Sequence, residues 1–127
     1  MKGSRLMSIN IEILYYRNFN FDGKFHLRCI GPDLHKIKRI RYVLRVIKAR
    51  GPKRLDSSTS SSQVDSGLLV DHGCPAILGT DLRHGRFEIT ASITLTDEQI
   101  IQLDLPSDAD ATITWPTMVI EIQPEET

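Results

Sequence analysis

The chain has 127 residues, 40% of them hydrophobic and 25% charged, enough for a single domain (1–127) that buries its own core without disulfide or metal support. No apolar run approaches the roughly 18 residues needed to cross a bilayer. The opening "MKGSRLMSIN" lacks the apolar stretch of a secretory signal, so a cytoplasmic protein with no membrane partner is expected. Net charge is zero, yet residues 1–54 hold 14 Lys/Arg against 3 Asp/Glu, and residues 55–127 hold 2 against 13. Such a split arises from a nucleic-acid-binding arm, or from halves that interleave so that basic strands lie beside acidic ones. Core-type residues in both halves favour interleaving.

In chain order, "SINIEILYYRNF" alternates, with Ile9, Ile11, Ile13 and Tyr15 on one side and Asn10 and Glu12 on the other, which predicts a half-buried strand. "NFDGKFHLRCI" predicts its hairpin partner: Asp22-Gly23 as the turn, then Phe25, Leu27 and Cys29 alternating against His26 and Arg28. "GPD" at 31–33 is a break. The basic stretch "IKRIRYVLRVIKARGPKR" reads two ways. As a strand, Ile40, Tyr42, Leu44 and Val46 form an apolar face, with Arg39, Arg41 and Arg45 opposite. As a helix, Ile37, Ile40, Leu44 and Ile47 form a stripe between an Asp33 cap and a Gly51-Pro52 stop. The β-branched residues and Tyr42 favour the strand.

"RLDSSTSSSQVDSG" has no periodicity and predicts a long mobile loop at about 55–67. Short apolar pieces follow at Leu68–Val70 and Ala76–Leu78. "RFEITASITL" is the clearest strand, with Phe87, Ile89, Ala91, Ile93 and Leu95 inward. "TDEQ" then reads as a turn into a hairpin partner, "IIQLDL". "ATITWPTMVIEIQ" is a last strand, interrupted or bulged at Pro116, and both termini are expected to fray. Seven to eight short strands and no helix predict an all-β fold, an antiparallel immunoglobulin-like β-sandwich.

Chemistry is sparse. Asp71, His72 and Cys74, with Cys29 or His84, contain the residue types of a zinc site or a Cys-His nucleophile pair, but not the paired spacing of either; a polar loop is the preferred reading. Cys29 and Cys74 are expected reduced and buried rather than bridged. There is no phosphate-binding glycine loop, nucleophile elbow or carboxylate pair, and neither cofactor nor metal is expected. Arg83, His84 and Arg86 around Gly85 suit either a tight turn or a binding rim at one end of the sandwich.

Two segments resemble the prokaryotic branch of the YEATS domain family and together cover about a third of the chain. "DLHKIKRIRYVLRV" is similar to that family's core strand with Tyr-x-Leu-His, and "GRFEITASITLTDEQIIQLDL" to its Gly-x-Phe-x-Ile-x-Ala-x-Ile strand, hairpin turn and closing strand. The resemblance implies an immunoglobulin-like sandwich with loops at one end that read acylated lysine in histone tails through aromatic rings and hydroxyls. At the reading positions this chain departs: the family's histidine is Arg45, its Ser/Thr-Phe pair is Ile47 and Lys48, and its Trp-Gly is His84-Gly85, while Phe87 is kept. The resemblance therefore implies the fold without acyl-lysine reading.

The expected function is a non-enzymatic interaction module that binds a protein or peptide, acidic in character, at a site of Arg45, His84, Gly85, Arg83 and Arg86. That expectation requires Arg45 and His84 to meet at one end of the sandwich. The alternatives are binding of nucleic acid or phosphate by a basic face of Arg39, Arg41, Arg45, Lys48 and Arg50, and a structural subunit whose copies associate through charge-complementary surfaces.

Overall fold

The computed structural model describes residues 9–17, 22–49, 62–70, 77–105 and 112–123. Eight strands run in chain order: β1 (Asn10–Arg17), β2 (Gly23–Ile30), β3 (Arg39–Ala49), β4 (Ser62–Val70), β5 (Ile77–Gly79), β6 (Gly85–Thr94), β7 (Thr112–Thr114) and β8 (Met118–Ile122). They form two antiparallel sheets. One has the order β1-β2-β5; the other has the order β4-β3-β6-β7, with β8 also paired to β6.

Period-two alternation builds both layers. Phe25, Leu27 and Cys29 of β2, Ile40, Tyr42, Leu44 and Val46 of β3, and Phe87, Ile89, Ala91 and Ile93 of β6 are all buried, and Ile11, Ile13 and Tyr15 of β1 pack against them. The two sheets meet through aromatic rings: Phe25 lies 5.4 Å from Phe87, centroid to centroid, and Tyr15 lies 4.9 Å from Phe25. No polar or charged residue among those described is buried in this core. The stretch 39–49 is a strand, as its β-branched content indicates, and Tyr42 faces the interior.

Four expectations need correction. Residues 62–67, read as part of a mobile loop, form most of β4, which pairs with β3 from Arg39↔Val70 to Ile47↔Ser62. Serines masked a real alternation, with Gln63, Asp65, Gly67 and Leu69 on one side and Val64, Ser66, Leu68 and Val70 on the other. The rest of that loop, 55–61, lies outside the described residues, as do both expected frayed ends, 1–8 and 124–127.

Second, "TDEQIIQLDL" forms no hairpin partner. It is a short helix, α1 (Asp97–Gln102). Thr96 and Gln99 make a reciprocal capping box: Gln99 N donates to Thr96 Oγ1 at 3.1 Å and Thr96 N donates to Gln99 Oε1 at 3.0 Å. The helix closes with Asp104 in the left-handed region (φ 56°), where Leu105 N donates to Ile100 O and Asp104 N to Ile101 O, both at 3.0 Å. Ile100, Leu103 and Leu105 are thereby buried while Ile101 stays 77% exposed. Strand pairing would have left the cap signals unused. Gln99 Nε2 also donates to Arg39 O, which ties α1 to the start of β3. Replacing Thr96 with alanine should cost about 1 kcal/mol, a fall of about 4 °C in a calorimetric Tm.

Third, Asp22-Gly23 is not the turn itself. Gly23 is already the first residue of β2, opposite Arg17. Fourth, the last stretch is two strands: β7 pairs with β6 at Ser92–Thr94 and β8 at Gly85–Ile89. Trp115 N donates to Ala91 O at 3.1 Å between them, and Pro116, which has no N–H, occupies the break.

Candidate functional site

The residues expected to form one ligand site are split. Arg83 and His84 are exposed on the bend that precedes β6, at the end of the sandwich where β1 and β3 finish and β2 begins. This bend is pinned from below: Tyr15 Oη donates to Leu82 O at 2.8 Å and Arg83 O at 3.1 Å, and Arg17 Nη2 donates to Arg83 O at 2.7 Å and Gln123 O at 3.1 Å. Gly85 has φ 122°, a conformation that side chains resist, and the Lys48 stem passes over it. Arg86 stands opposite Ala49 and Glu121.

Arg45 is elsewhere. It pairs with Thr90, six residues along the strand from His84, which is about 20 Å at 3.3–3.4 Å per residue. The side chain of Arg45 also projects from the outer face of the sheet. Arg45 and His84 therefore do not share a site, and the rim expectation built on their meeting fails. Phe87 is wholly buried core and presents nothing to a ligand at this rim.

The basic face is also redrawn. Arg39, Arg41 and Arg45 project outward together. Lys48 has the opposite parity, shared with Tyr42, Leu44 and Val46, and belongs to the end beside Gly85; Arg50 lies outside the described residues. Of the metal candidates, Asp71, His72 and Cys74 lie outside the described residues, while Cys29 is buried towards the end of the sandwich away from His84. Among the described residues no cluster of three His, Cys, Asp or Glu side chains is placed to hold a metal.

What the fold does bring together is the outer face of the five-stranded sheet. The interleaving expected from the charge split occurs in topology: β3, from the basic half, lies between β4 and β6 of the acidic half. It does not neutralise the arginines. The ion pairs among the described residues are Arg28–Glu12 (2.6 Å) and Lys36–Asp33 (3.6 Å), and neither involves Arg39, Arg41 or Arg45. Asp65 of β4 faces the other way, where its carboxylate accepts the Tyr42 hydroxyl.

On the β6 side of the arginines is a strip of hydroxyls, with Thr90 bonded to Thr117 (3.3 Å) and Thr94 to Thr112 (3.2 Å). On the β4 side lie exposed aliphatics: Val64 (52%), Leu68 (46%) and Val70 (53%), with Val43 of β3 at 40%. A shallow hollow is lined by Arg41, Tyr42, Val43, Ser66, Gly67 and Leu68. By register its walls are the outward pairs Arg41–Leu68 and Val43–Ser66, and its floor is the Tyr42–Gly67 backbone. The aliphatic part of this face escaped the sequence reading because Val64 sits in the stretch taken for a loop, which left Leu68–Val70 as an isolated apolar piece. The alternation of Val64, Ser66, Leu68 and Val70 is the signal that would have found it.

No protein-family model matches the chain, and neither does any curated protein or solved structure. Among the described residues no helix is long and apolar enough to cross a membrane.

Proposed function

We propose that the protein is a non-enzymatic interaction module that binds an acidic protein or peptide on the outer face of its five-stranded sheet. One observation carries this reading: Arg39, Arg41 and Arg45 stand in a row on one face, in none of the ion pairs among the described residues, beside exposed Val43, Val64, Leu68 and Val70. Guanidinium groups next to accessible aliphatic surface are what a protein interface enriches, since one supplies charge-assisted hydrogen bonds and the other apolar area. The nucleic-acid reading is weaker on this face, because Tyr42 is turned into the core and offers no ring on which a base could stack.

An immunoglobulin-like sandwich is the finer fold reading that we attach to this proposal. The strand order supports it, with a β1–β2 hairpin in one sheet, a β3–β4 hairpin in the other, β5 returning to the first, and β6 crossing back to join β7 and β8. Kinship with the YEATS-like family draws support from Tyr42 and Leu44 lying inward beside Ile89, Ala91 and Ile93. The departures at Arg45 and His84-Gly85 argue against acyl-lysine as the ligand.

The test is a triple reversal, Arg39→Glu, Arg41→Glu and Arg45→Glu, with poly-glutamate and a single-stranded oligonucleotide as probes in parallel titrations. The wild-type protein should bind poly-glutamate, and the variant about 10–100-fold more weakly, as expected for several partly screened ion pairs. Its Tm should stay close to wild type, since all three side chains are exposed. Equal poly-glutamate binding by both proteins would sink the proposal. Preferential oligonucleotide binding with a steep salt dependence would move the assignment to nucleic acid.

A further inference from the structure

β4 is an edge strand of nine residues whose one strand partner among those described is β3. It contains neither proline nor lysine, the residues that commonly blunt such edges, and three of its five outward side chains are exposed aliphatics. An open edge presents backbone donors and acceptors to any extended chain that lies beside it. Arg45 leans towards this edge: its Nη1 donates to Ser62 Oγ at 3.1 Å, so the guanidinium lies over β4 rather than over the hydroxyl strip of β6.

We propose that the ligand adds to β4 as a further β-strand and is an extended segment in which acidic and aliphatic side chains share one face. An acidic side chain meets the Arg45 guanidinium, a second is within reach of Arg41, and aliphatic side chains between them rest against Val64 and Leu68. This rests on the reading of the arginine face as the ligand surface and specifies the form in which the ligand binds.

A second copy of this chain is the competing occupant. The outward residues of β4 are self-complementary about Ser66, so antiparallel copies would set Val64 against Leu68. That arrangement also joins two arginine stripes on one continuous face. Arg45 of one copy and Arg41 of the other would stand three strand spacings apart, about 14 Å between backbones, with Arg45 already leaning towards the join. No carboxylate of the described residues lies between them to reverse the sign. An acidic segment removes the repulsion instead of doubling it.

The probe is a capped peptide of the repeat Glu-Thr-Val-Thr, matched to β4 in length, so that Glu and Val fall on one face and Thr on the other; it is compared with the same peptide N-methylated along one edge. Both are titrated into the full chain with amide shifts recorded by NMR. The parent peptide should shift the amides of residues 62–70, and both N-methylation and Arg45→Glu should weaken it by about tenfold or more. Methylated and parent peptides binding equally would overturn strand addition; a loss still seen with Arg45→Glu would then leave the arginine-face reading standing. No binding of either peptide at millimolar concentration overturns the proposal. So does an unliganded protein that is already a dimer with the amides of 62–70 protected, since a second copy then owns the edge.

Discussion

Replacing Phe87 with alanine should destabilise the protein by about 3–5 kcal/mol, the range seen when a fully buried aromatic is truncated. Phe87 has no exposed surface, and its ring meets Phe25 edge to face at 5.4 Å across the two sheets, with Tyr15 on the far side of Phe25. The lost ring removes transfer energy, leaves a cavity between layers that cannot close together, and breaks an aromatic pair that adds about 0.5–1.5 kcal/mol beyond area burial. Domains of this size commonly have only 5–15 kcal/mol of total stability, so Tm should fall by about 15 °C. Phe87→Leu, which keeps most of the volume, should cost about 1.5 kcal/mol or less. Thermal melts by circular dichroism separate the two. A Phe87→Ala protein that melts within a few degrees of wild type would contradict the burial described for this ring.

The second large effect is expected at Gly23. A methyl group there would sit 2.4 Å from Leu82 O and 2.6 Å from Tyr15 Oη. Neither atom moves cheaply: Leu82 O is backbone, and the Tyr15 hydroxyl is held by the carbonyls of Leu82 and Arg83. Gly23→Ala must therefore push β2 away from the 82–84 bend or break the Tyr15 bonds, at a cost of about 2–3 kcal/mol. Tyr15→Phe separates the causes. It keeps the ring against Phe25 and loses only hydrogen bonds, so it should cost about 1 kcal/mol, and the double variant Gly23→Ala/Tyr15→Phe should cost less than the sum of the singles. Strict additivity in a denaturant-melt cycle would show that the tyrosine hydroxyl is not what the new methyl group strikes. Gly23 belongs to the other sheet and not to the outer face of β3 and β4, so poly-glutamate binding should survive at temperatures where the variant is folded.

The glycine also shows where sequence reasoning reached a correct element for a different reason. Asp22-Gly23 signalled a hairpin, and a hairpin is there. The glycine is required by a backbone passing within contact distance from residue 82, and no local pattern records an approach between positions so far apart in the chain. The helix α1 is the opposite case. Its signals, Thr96 and Gln99 at capping-box spacing, were local and present, but the alternation of Ile101, Leu103 and Leu105 imitated a strand. Capping satisfies backbone groups that a strand at this place would have had to pair elsewhere.

By itself, the sequence determined which side chains of β1, β2, β3 and β6 turn inward, because a pleated backbone alternates its side chains whatever it pairs with. That is why Tyr42, Leu44, Phe87 and Ile89 were recognisable as core. The tertiary structure alone decided what each strand lies beside. It separated Arg45 from His84 by the length of half a sheet, left β4 at an edge, and set three arginines in a row without a carboxylate between them. A net charge of zero is a sum over the chain and carries no positions. Charge acts over ångströms, and only the pairing of distant segments determines which charges come that close.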